Sequence, residues 1–496
     1  MSATPAGSMA GAAVRGSVWT VAGYASGQLV RLLGNLVLTR LLFPAVFGQM
    51  ALIAVFMQGL QMFSDVGTGP AIVQSRRGDD PAFLDTAWTI QCIRGVLLWL
   101  ASFALAAPLA SFFGQPILAW LIPGAGFSAV LGGLESTSMH TAQRHLRLER
   151  LTVVELVSQV VGVAVAIVGA LADLRLYGPL HQSAAWVFVV ANLAAAATRT
   201  ALSHLALPGI RHRFRLDRTV LGEQLAFGRW VFVSTLLTFL AGQADRLVFG
   251  KMIPIDLFGV YGIAATLAML PTLAVLRVGS SVAFPTYARL AARGTLGTVL
   301  GQVRLPLLLG GGAIASGLFA CGPGLIHLLY DSRYAEAGWI VRFLAAGAWF
   351  QILEATCGAV LLALGRVPWM ATGSAAKLVG LVVLLPLGFH LGGFRGALAG
   401  LVLAEAVKYL VAATGVALQR MPGLRLDAAV TGMVVAIAAA GSFAGSLVGA
   451  GGHSRFAEFV GAAAVSGGAW AAILGWYFLR ARARRPVAGL PAATGP

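Results

Sequence analysis

Fourteen apolar blocks follow one another with only short polar joints between them. Crossing a ~30 Å hydrocarbon core takes about 20 apolar residues in a helix, and an α-helix satisfies its own backbone in lipid. The blocks run at about 17–42, 47–63, 87–113, 117–134, 151–172, 182–205, 227–249, 258–284, 304–328, 338–363, 368–390, 393–417, 429–449 and 457–479. The least marked division is at Gly114–Pro116, between the third and fourth blocks. Only 11% of residues are charged and 58% are hydrophobic, whereas soluble domains carry about 25% charged residues. The expected fold class is an all-α polytopic membrane protein of about 14 transmembrane helices, with no separate soluble domain. Residues 1–16 are small and polar without a cleavage pattern, so the first span is expected to serve as its own targeting signal.

Charge orients these spans. Of the 35 Lys and Arg, 11 lie inside blocks and 24 in the joints, where they alternate. One set of joints holds Arg15, Arg76, Arg77, Arg144, Arg147, Arg150, Arg211, Arg213, Arg215, Arg218, Arg289, Arg293, Arg366, Arg420, Arg425, Arg480, Arg482, Arg484 and Arg485, 19 in all; the other holds Arg175, Lys251, Arg333, Arg395 and Arg455, 5 in all. The positive-inside rule then predicts a cytoplasmic rich side and two cytoplasmic termini. The net charge of +17 follows from this topology and from attraction to anionic membrane lipids. No basic groove interleaved with aromatics points to nucleic acid. Cys92, Cys321 and Cys357 all fall in blocks without paired spacing, and read as small buried residues.

The chain also repeats itself. A shift of 211 residues lays Asn35 on Arg246, Arg40 on Lys251 and Phe47-Gly48 on Phe258-Gly259; one residue out of register, Val66-Gly67 falls on Val278-Gly279. Each copy ends a long apolar segment with a basic residue, a proline turn and Phe-Gly. The shift spans six helices, so both copies run the same way through the membrane. Parallel repeats about an axis along the membrane normal are a transporter architecture; shared turn chemistry without common ancestry is the alternative. The expected organisation is an N-lobe over 1–222, a C-lobe over 223–422, and two extra spans with a basic cytoplasmic tail over 423–496.

Polar residues inside the blocks are the functional candidates. Gln28, Arg31 and Asn35 are spaced i, i+3, i+7 and share one helix face. An arginine at mid-bilayer costs at least ~2.5–3.5 kcal/mol, so it must face protein or water. The stripe is either a cavity wall that holds an anion or structural glue to a neighbouring helix. In the seventh block stand Gln243, Asp245 and Arg246; Asp245 either neutralises Arg246 or takes a proton for ion coupling. Gln91 and Arg94 lie one turn apart in the third block, where Arg94 either lines the cavity or snorkels to the interface. A later group holds Gln351, Glu354, Lys377, Glu405 and Lys408. Glu405 and Lys408 can pair internally at i, i+3, which leaves Lys377 as the better cavity candidate. Glu155 and Glu354 are candidate proton carriers. No phosphate-binding loop, catalytic triad or metal-ligand cluster appears, so neither ATP hydrolysis, a cofactor nor a metal is expected.

Several strings carry a family resemblance: Leu38–Gly48, Phe63–Gln74, Asp245-Arg246-Leu247-Val248-Phe249-Gly250, Leu257-Phe258-Gly259-Val260-Tyr261 and Leu362-Ala363-Leu364-Gly365-Arg366. In this order they resemble the Wzx-like polysaccharide transporters, the oligosaccharide flippases of the multidrug/oligosaccharidyl-lipid/polysaccharide (MOP) superfamily. The likeness covers most of the first twelve spans. One departure is that Ala45 and Val46 stand where the family commonly has acidic residues. The resemblance implies two six-helix lobes in a V, open alternately to each side of a bacterial inner membrane. It implies a transporter, not an enzyme, that moves undecaprenyl-pyrophosphate-linked sugar repeat units to the outer leaflet. The polysaccharide polymerase and export machinery are further implied partners. Fixed cations such as Arg31 and Arg246 suit the pyrophosphate, because arginine's planar fork binds phosphate bidentately. An ion-coupled drug exporter of the same superfamily would need acidic residues for its cations, whereas the embedded charges here are mostly basic. A polymerase or ligase acting on lipid-linked sugars usually carries a large extracytoplasmic loop, and all such joints here are short.

Overall fold

The computed structural model describes residues 6–64, 67–75, 77–145, 147–177, 184–210, 212–217, 222, 239–279, 283–450 and 455–483. Asp65, Val66, Arg76, Arg211, Arg218, residues 223–238 beyond the expected lobe boundary with Arg229 and the first part of the seventh block, and the tail from Arg484 lie outside them. Among the described residues there is no strand. The helices are α1 (Ala6–Leu41), α2 (Pro44–Phe63), α3 (Thr68–Gln74), α4 (Pro81–Phe113), α5 (Leu118–Gly133), α6 (Ser138–Arg144), α7 (Leu148–Tyr177), α8 (Ala184–Leu205), α9 (239–252), α10 (Ile255–Val278), α11 (Phe284–Ala292), α12 (Leu296–Leu329), α13 (Ala337–Ala363), α14 (Pro368–Leu418), α15 (Leu424–Ala450) and α16 (Arg455–Ala483). Among the described residues ten are long and apolar enough to cross a membrane, or eleven if the bent pair α5 and α6 is one span.

Local chemistry sets the boundaries. Pro44 and Pro81 occupy first-turn positions, where a missing N–H costs nothing. The Asp80 carboxylate accepts from the Ala82 amide at 3.1 Å and so caps α4. Gly114 ends α4 at φ 64°, a conformation that favours glycine; this makes the weakly marked joint a true break. The 51 residues of α14 are two arms broken at Gly392 and Gly393, the latter at φ 58°, ψ −146°. A Cβ on Gly396 would lie 2.0 Å from the Gly388 carbonyl, and one on Gly400 2.3 Å from the Leu384 carbonyl. The arms therefore double back, backbone against backbone, as two separate blocks predict.

The chain divides into two compact units, 1–262 and 263–496. In the first, α1 packs on α7, α7 on α8, α4 on α5, and α2 on α5 and α8. The two proline turns of the 211-residue repeat meet here. A Cβ on Gly48 would stand 2.2 Å from the Ile255 carbonyl, and one on its repeat mate Gly259 would stand 1.9 Å from the Pro44 carbonyl. Each turn thus seats its Phe-Gly glycine against the start of the other's helix.

Beyond α8 the chain runs extended along α4. The amides of Arg213, Arg215 and Asp217 donate to Asp85 Oδ1 at 3.1 Å, Thr89 Oγ1 at 3.0 Å and Thr86 Oγ1 at 3.2 Å. Amides two residues apart point the same way only in extended backbone. His212, just before them, stacks on Trp88 with centroids 5.3 Å apart and lies 2.9 Å from Ser136 Oγ.

In the second unit α12 is central, in contact with α13, α15 and α16, while α13 packs on α14. Trp349, Ile352, Tyr409, Val434 and Trp470 belong to one buried cluster. The last two helices are part of this core: Trp470 Nε1 on α16 donates to Ser316 Oγ on α12 at 2.8 Å.

Candidate translocation site

Helix α1 carries three faces. Gly23, Gly27 and Gly34 meet Thr152, Gln159 and Val163 of α7, and Gln159 Nε2 donates to the Gly27 carbonyl at 2.8 Å. Leu29, Leu33 and Val37 form an exposed apolar face. The third face is polar: Gln28 Nε2 donates to Tyr24 Oη at 2.8 Å and Arg31 Nε donates to Gln28 Oε1 at 3.2 Å. Arg31 is exposed, and Gln28 and Asn35 are half-buried. Tyr24 extends the stripe by i−4. Its hydroxyl, mid-way along α1, fits that spacing.

In α9, Gln243 Nε2 donates to Gln58 Oε1 of α2 at 2.8 Å. Asp245 accepts a hydrogen bond from the Tyr261 hydroxyl on α10. The neutralisation of Asp245 by Arg246 is not seen among the described residues: neighbours on a helix diverge by about 100°, so the carboxylate meets Tyr261 instead. Arg246 is half-buried.

In α4, Gln91 Nε2 donates to the Gly132 carbonyl at 3.1 Å, answering one of the carbonyls that a helix end leaves open. That ties Gln91 to the end of α5. Arg94, one turn on, is half-buried.

The second unit holds a longer polar chain. Thr272 Oγ1 on α10 donates to Gln351 Oε1 at 3.3 Å, and Gln351 Nε2 donates to Glu405 Oε1 at 2.8 Å. Lys377 Nζ lies 2.6 Å from Glu405 Oε1, and Lys408 Nζ lies 3.2 Å from Glu354 Oε2. The expected internal pair of Glu405 with Lys408 is replaced by a crossed arrangement. Lys377 is correspondingly paired, where one sequence offered it no local partner.

The embedded cations therefore sort into two kinds. Arg199 has Glu135 at 3.2 Å, Arg304 has Asp427 at 3.0 Å, and Lys377 and Lys408 have their glutamates. Arg31, Arg246 and Arg342 have no carboxylate partner among the described residues, and Arg342 lies over the Phe319 ring at 6.0 Å. Among the same residues no group of His, Cys, Asp and Glu could hold a metal ion.

A sequence model of the family described as "Polysaccharide biosynthesis protein" matches residues 37–339, more than half of the chain. The chain belongs to this family. It is 22% identical over 315 residues to the teichuronic acid biosynthesis protein TuaB of Bacillus subtilis, covering 62% of each chain. It is 25% identical over 314 residues to the succinoglycan biosynthesis transport protein ExoT of Rhizobium meliloti, covering 62% of this chain and 60% of that one. The match to the lipopolysaccharide biosynthesis protein WzxC of Escherichia coli is 20% identical over 384 residues and covers 76% and 75%. The chain thus spans less than two thirds of the length of the first two relatives.

Among solved structures, the lipid II flippase MurJ in its inward closed conformation superposes with a TM-score of 0.72 at 12% identity, over 94% of this chain and 100% of that one. An inward-facing MATE-family multidrug transporter of the MOP superfamily gives 0.61 at 14% identity, over 82% and 95%. The chain therefore shares its fold with MurJ and with the MATE transporter. It is a multi-pass membrane protein.

Proposed function

We propose that this protein flips undecaprenyl-pyrophosphate-linked oligosaccharide repeat units from the inner to the outer leaflet of a bacterial inner membrane. Transport proceeds by alternating access, through fourteen spans with both termini cytoplasmic. The observation that carries this reading is the sorting of the embedded cations. Arg31 and Arg246, repeat-related to within four residues, have no carboxylate among the described residues, and each shares its helix with uncharged polar side chains, Gln28 and Asn35 on α1 and Gln243 on α9. An unneutralised intramembrane arginine needs an anion or water, and its planar fork can bind a phosphate group bidentately. Gln28, Asn35, Gln91, Arg94, Gln243 and Lys377 complete the proposed substrate-binding set, with Asp245 and Glu354 for ion coupling.

The family, and the printed names of TuaB, ExoT and WzxC, support polysaccharide assembly as the setting. In such a setting the polymerase and export machinery are the proposed partners. A drug or cation exporter is less well supported, because the charges embedded in the apolar blocks are mostly basic.

Complementation of a strain lacking its own polysaccharide flippase tests this reading. Wild type is expected to restore surface polysaccharide and to clear the lipid-linked repeat unit from the inner leaflet. Equally expressed Arg31→Ala or Arg246→Ala should do neither. Full rescue by both variants would remove the arginines from the mechanism.

A further inference from the structure

The crossed pairing of two lysines with two glutamates in the second unit is the arrangement left unexplained. Helical spacing offers Glu405 its neighbour Lys408, yet each joins a different helix. Glu405 bridges the two arms of α14 through Lys377, and Lys408 bridges α14 to α13 through Glu354. In both pairs the cation is the more accessible member. The Lys377 side chain is 13% exposed against 4% for Glu405, and Lys408 is 24% exposed against 14% for Glu354. The ammonium is thus the outer member of each pair, with the carboxylate behind it.

The contrast within the same unit is the pair of Arg304 and Asp427, 1% and 3% exposed. That guanidinium also donates to Thr356 Oγ1 at 3.0 Å and to the Leu353 carbonyl at 3.4 Å, so it is sealed and fixed from several sides. Lysine is a compact charge on a flexible stem, whose partner can change without re-aligning a planar fork. Glu405 is equipped for such a change. Gln351 donates to the same oxygen and is itself held by Thr272, so the carboxylate keeps a donor if the ammonium leaves it.

We propose that Glu405 is a resident counter-anion: it holds Lys377 while the carrier is empty, and a diphosphate headgroup takes its place on the ammonium. Glu354 and Lys408 form a second pair of the same kind. The inference rests on the anion-translocation reading above and adds to it a positioning residue that acts through Lys377. Its physical logic lies in the return step. An empty carrier with a bare ammonium in an apolar helix bundle faces the cost of an unpaired embedded charge, and Glu405 removes that cost. As an intramolecular competitor it also admits a multiply charged diphosphate more readily than a singly charged anion.

Titration of inorganic pyrophosphate into the full purified chain, followed by calorimetry, tests this. Glu405→Gln is expected to bind about tenfold tighter than wild type, a change of about 1.4 kcal/mol. Adding Lys377→Gln should abolish the gain. Glu405→Asp, with a shorter reach to Lys377, should fall between, and serves if the glutamine variant does not fold. A gain in affinity is a readout that a damaged core does not produce. Inorganic phosphate should bind Glu405→Gln more weakly than pyrophosphate; equal affinity would assign the site to the free ion and contradict the diphosphate. If wild type binds pyrophosphate through Arg31 and Arg246 but both Glu405 variants leave the affinity unchanged or weaker, the counter-anion role is overturned and the anion reading stands. If neither wild type nor the Glu405 variants bind, both fall.

Discussion

Arg304 of α12 and Asp427 of α15 face each other across 3.0 Å in the core of the second unit. Tyr409 on α14 donates to the same carboxylate at 3.0 Å, and Arg304 reaches Thr356 on α13 at 3.0 Å. Four helices thus meet at one buried ion pair. Removing one partner of such a pair leaves an uncompensated charge and costs about 3–5 kcal/mol. Arg304→Met is therefore expected to abolish folded protein or to lower the thermal midpoint sharply. A combined Arg304→Met and Asp427→Leu change should be milder than either single change. Thermal melting of the purified variants checks the order.

The repeat turns give a second expectation. Gly259→Ala would place its Cβ 1.9 Å from the Pro44 carbonyl, while Gly262→Ala finds its nearest neighbour, Ala51 Cβ, at 4.0 Å. A clash with backbone cannot be relieved by a rotamer change, so Gly259→Ala should lose expression or fold. Gly262→Ala should be close to neutral. Size-exclusion profiles of the two variants compare them directly.

How much of this was legible in the sequence depends on the range of the interaction. Among the described residues the apolar blocks fall on helices, because length and hydropathy are local properties and lipid permits little else. The turn at Gly392-Gly393 and the break at Gly114 follow from glycine's own freedom. Partners across helices were harder. Glu405 has Lys408 three residues away and no sequence sign that Lys377 is nearer. Asp245 has Arg246 beside it and still bonds Tyr261. Arg304 lies at the start of an apolar block, and nothing in the sequence marks Asp427, 123 residues on, as its partner. Tyr24 lay on the stripe of Gln28 and Arg31 and was within reach of the same spacing argument.

Tyr24 yields a prediction of its own. Tyr24→Phe removes the oxygen that accepts from Gln28, which in turn accepts from Arg31. A neutral hydrogen bond contributes about 0.5–1.5 kcal/mol, so the transport rate is expected to fall about threefold to tenfold with expression unchanged. An undiminished rate would make the chain from Tyr24 to Arg31 incidental.

The extended segment beyond α8 should respond to acid. Burial is the larger cause that pushes His212 below its ordinary value of 6.5, and repulsion from His204 adds to it, while the Asp85 carboxylate opposes both. A histidine whose folded pKa lies below its unfolded one is protonated more readily when unfolded. Stability at this site is therefore complete above about 6.5 and is lost as pH falls below that value. Hydrogen exchange of the Arg213, Arg215 and Asp217 amides, corrected for intrinsic rates, should speed up on acidification. In His212→Asn that extra pH dependence should vanish.

In the proposed mechanism, embedded arginines carry a lipid diphosphate across the bilayer. The most direct measurement reconstitutes the full chain in proteoliposomes with a short-chain polyprenyl diphosphate bearing a fluorescent sugar, and follows its loss of protection from an impermeant quencher. Wild type is expected to translocate the lipid, with Arg31→Ala and Arg246→Ala each at least tenfold slower, a change of about 1.4 kcal/mol in barrier. Translocation at the wild-type rate by the doubly substituted chain would contradict the account.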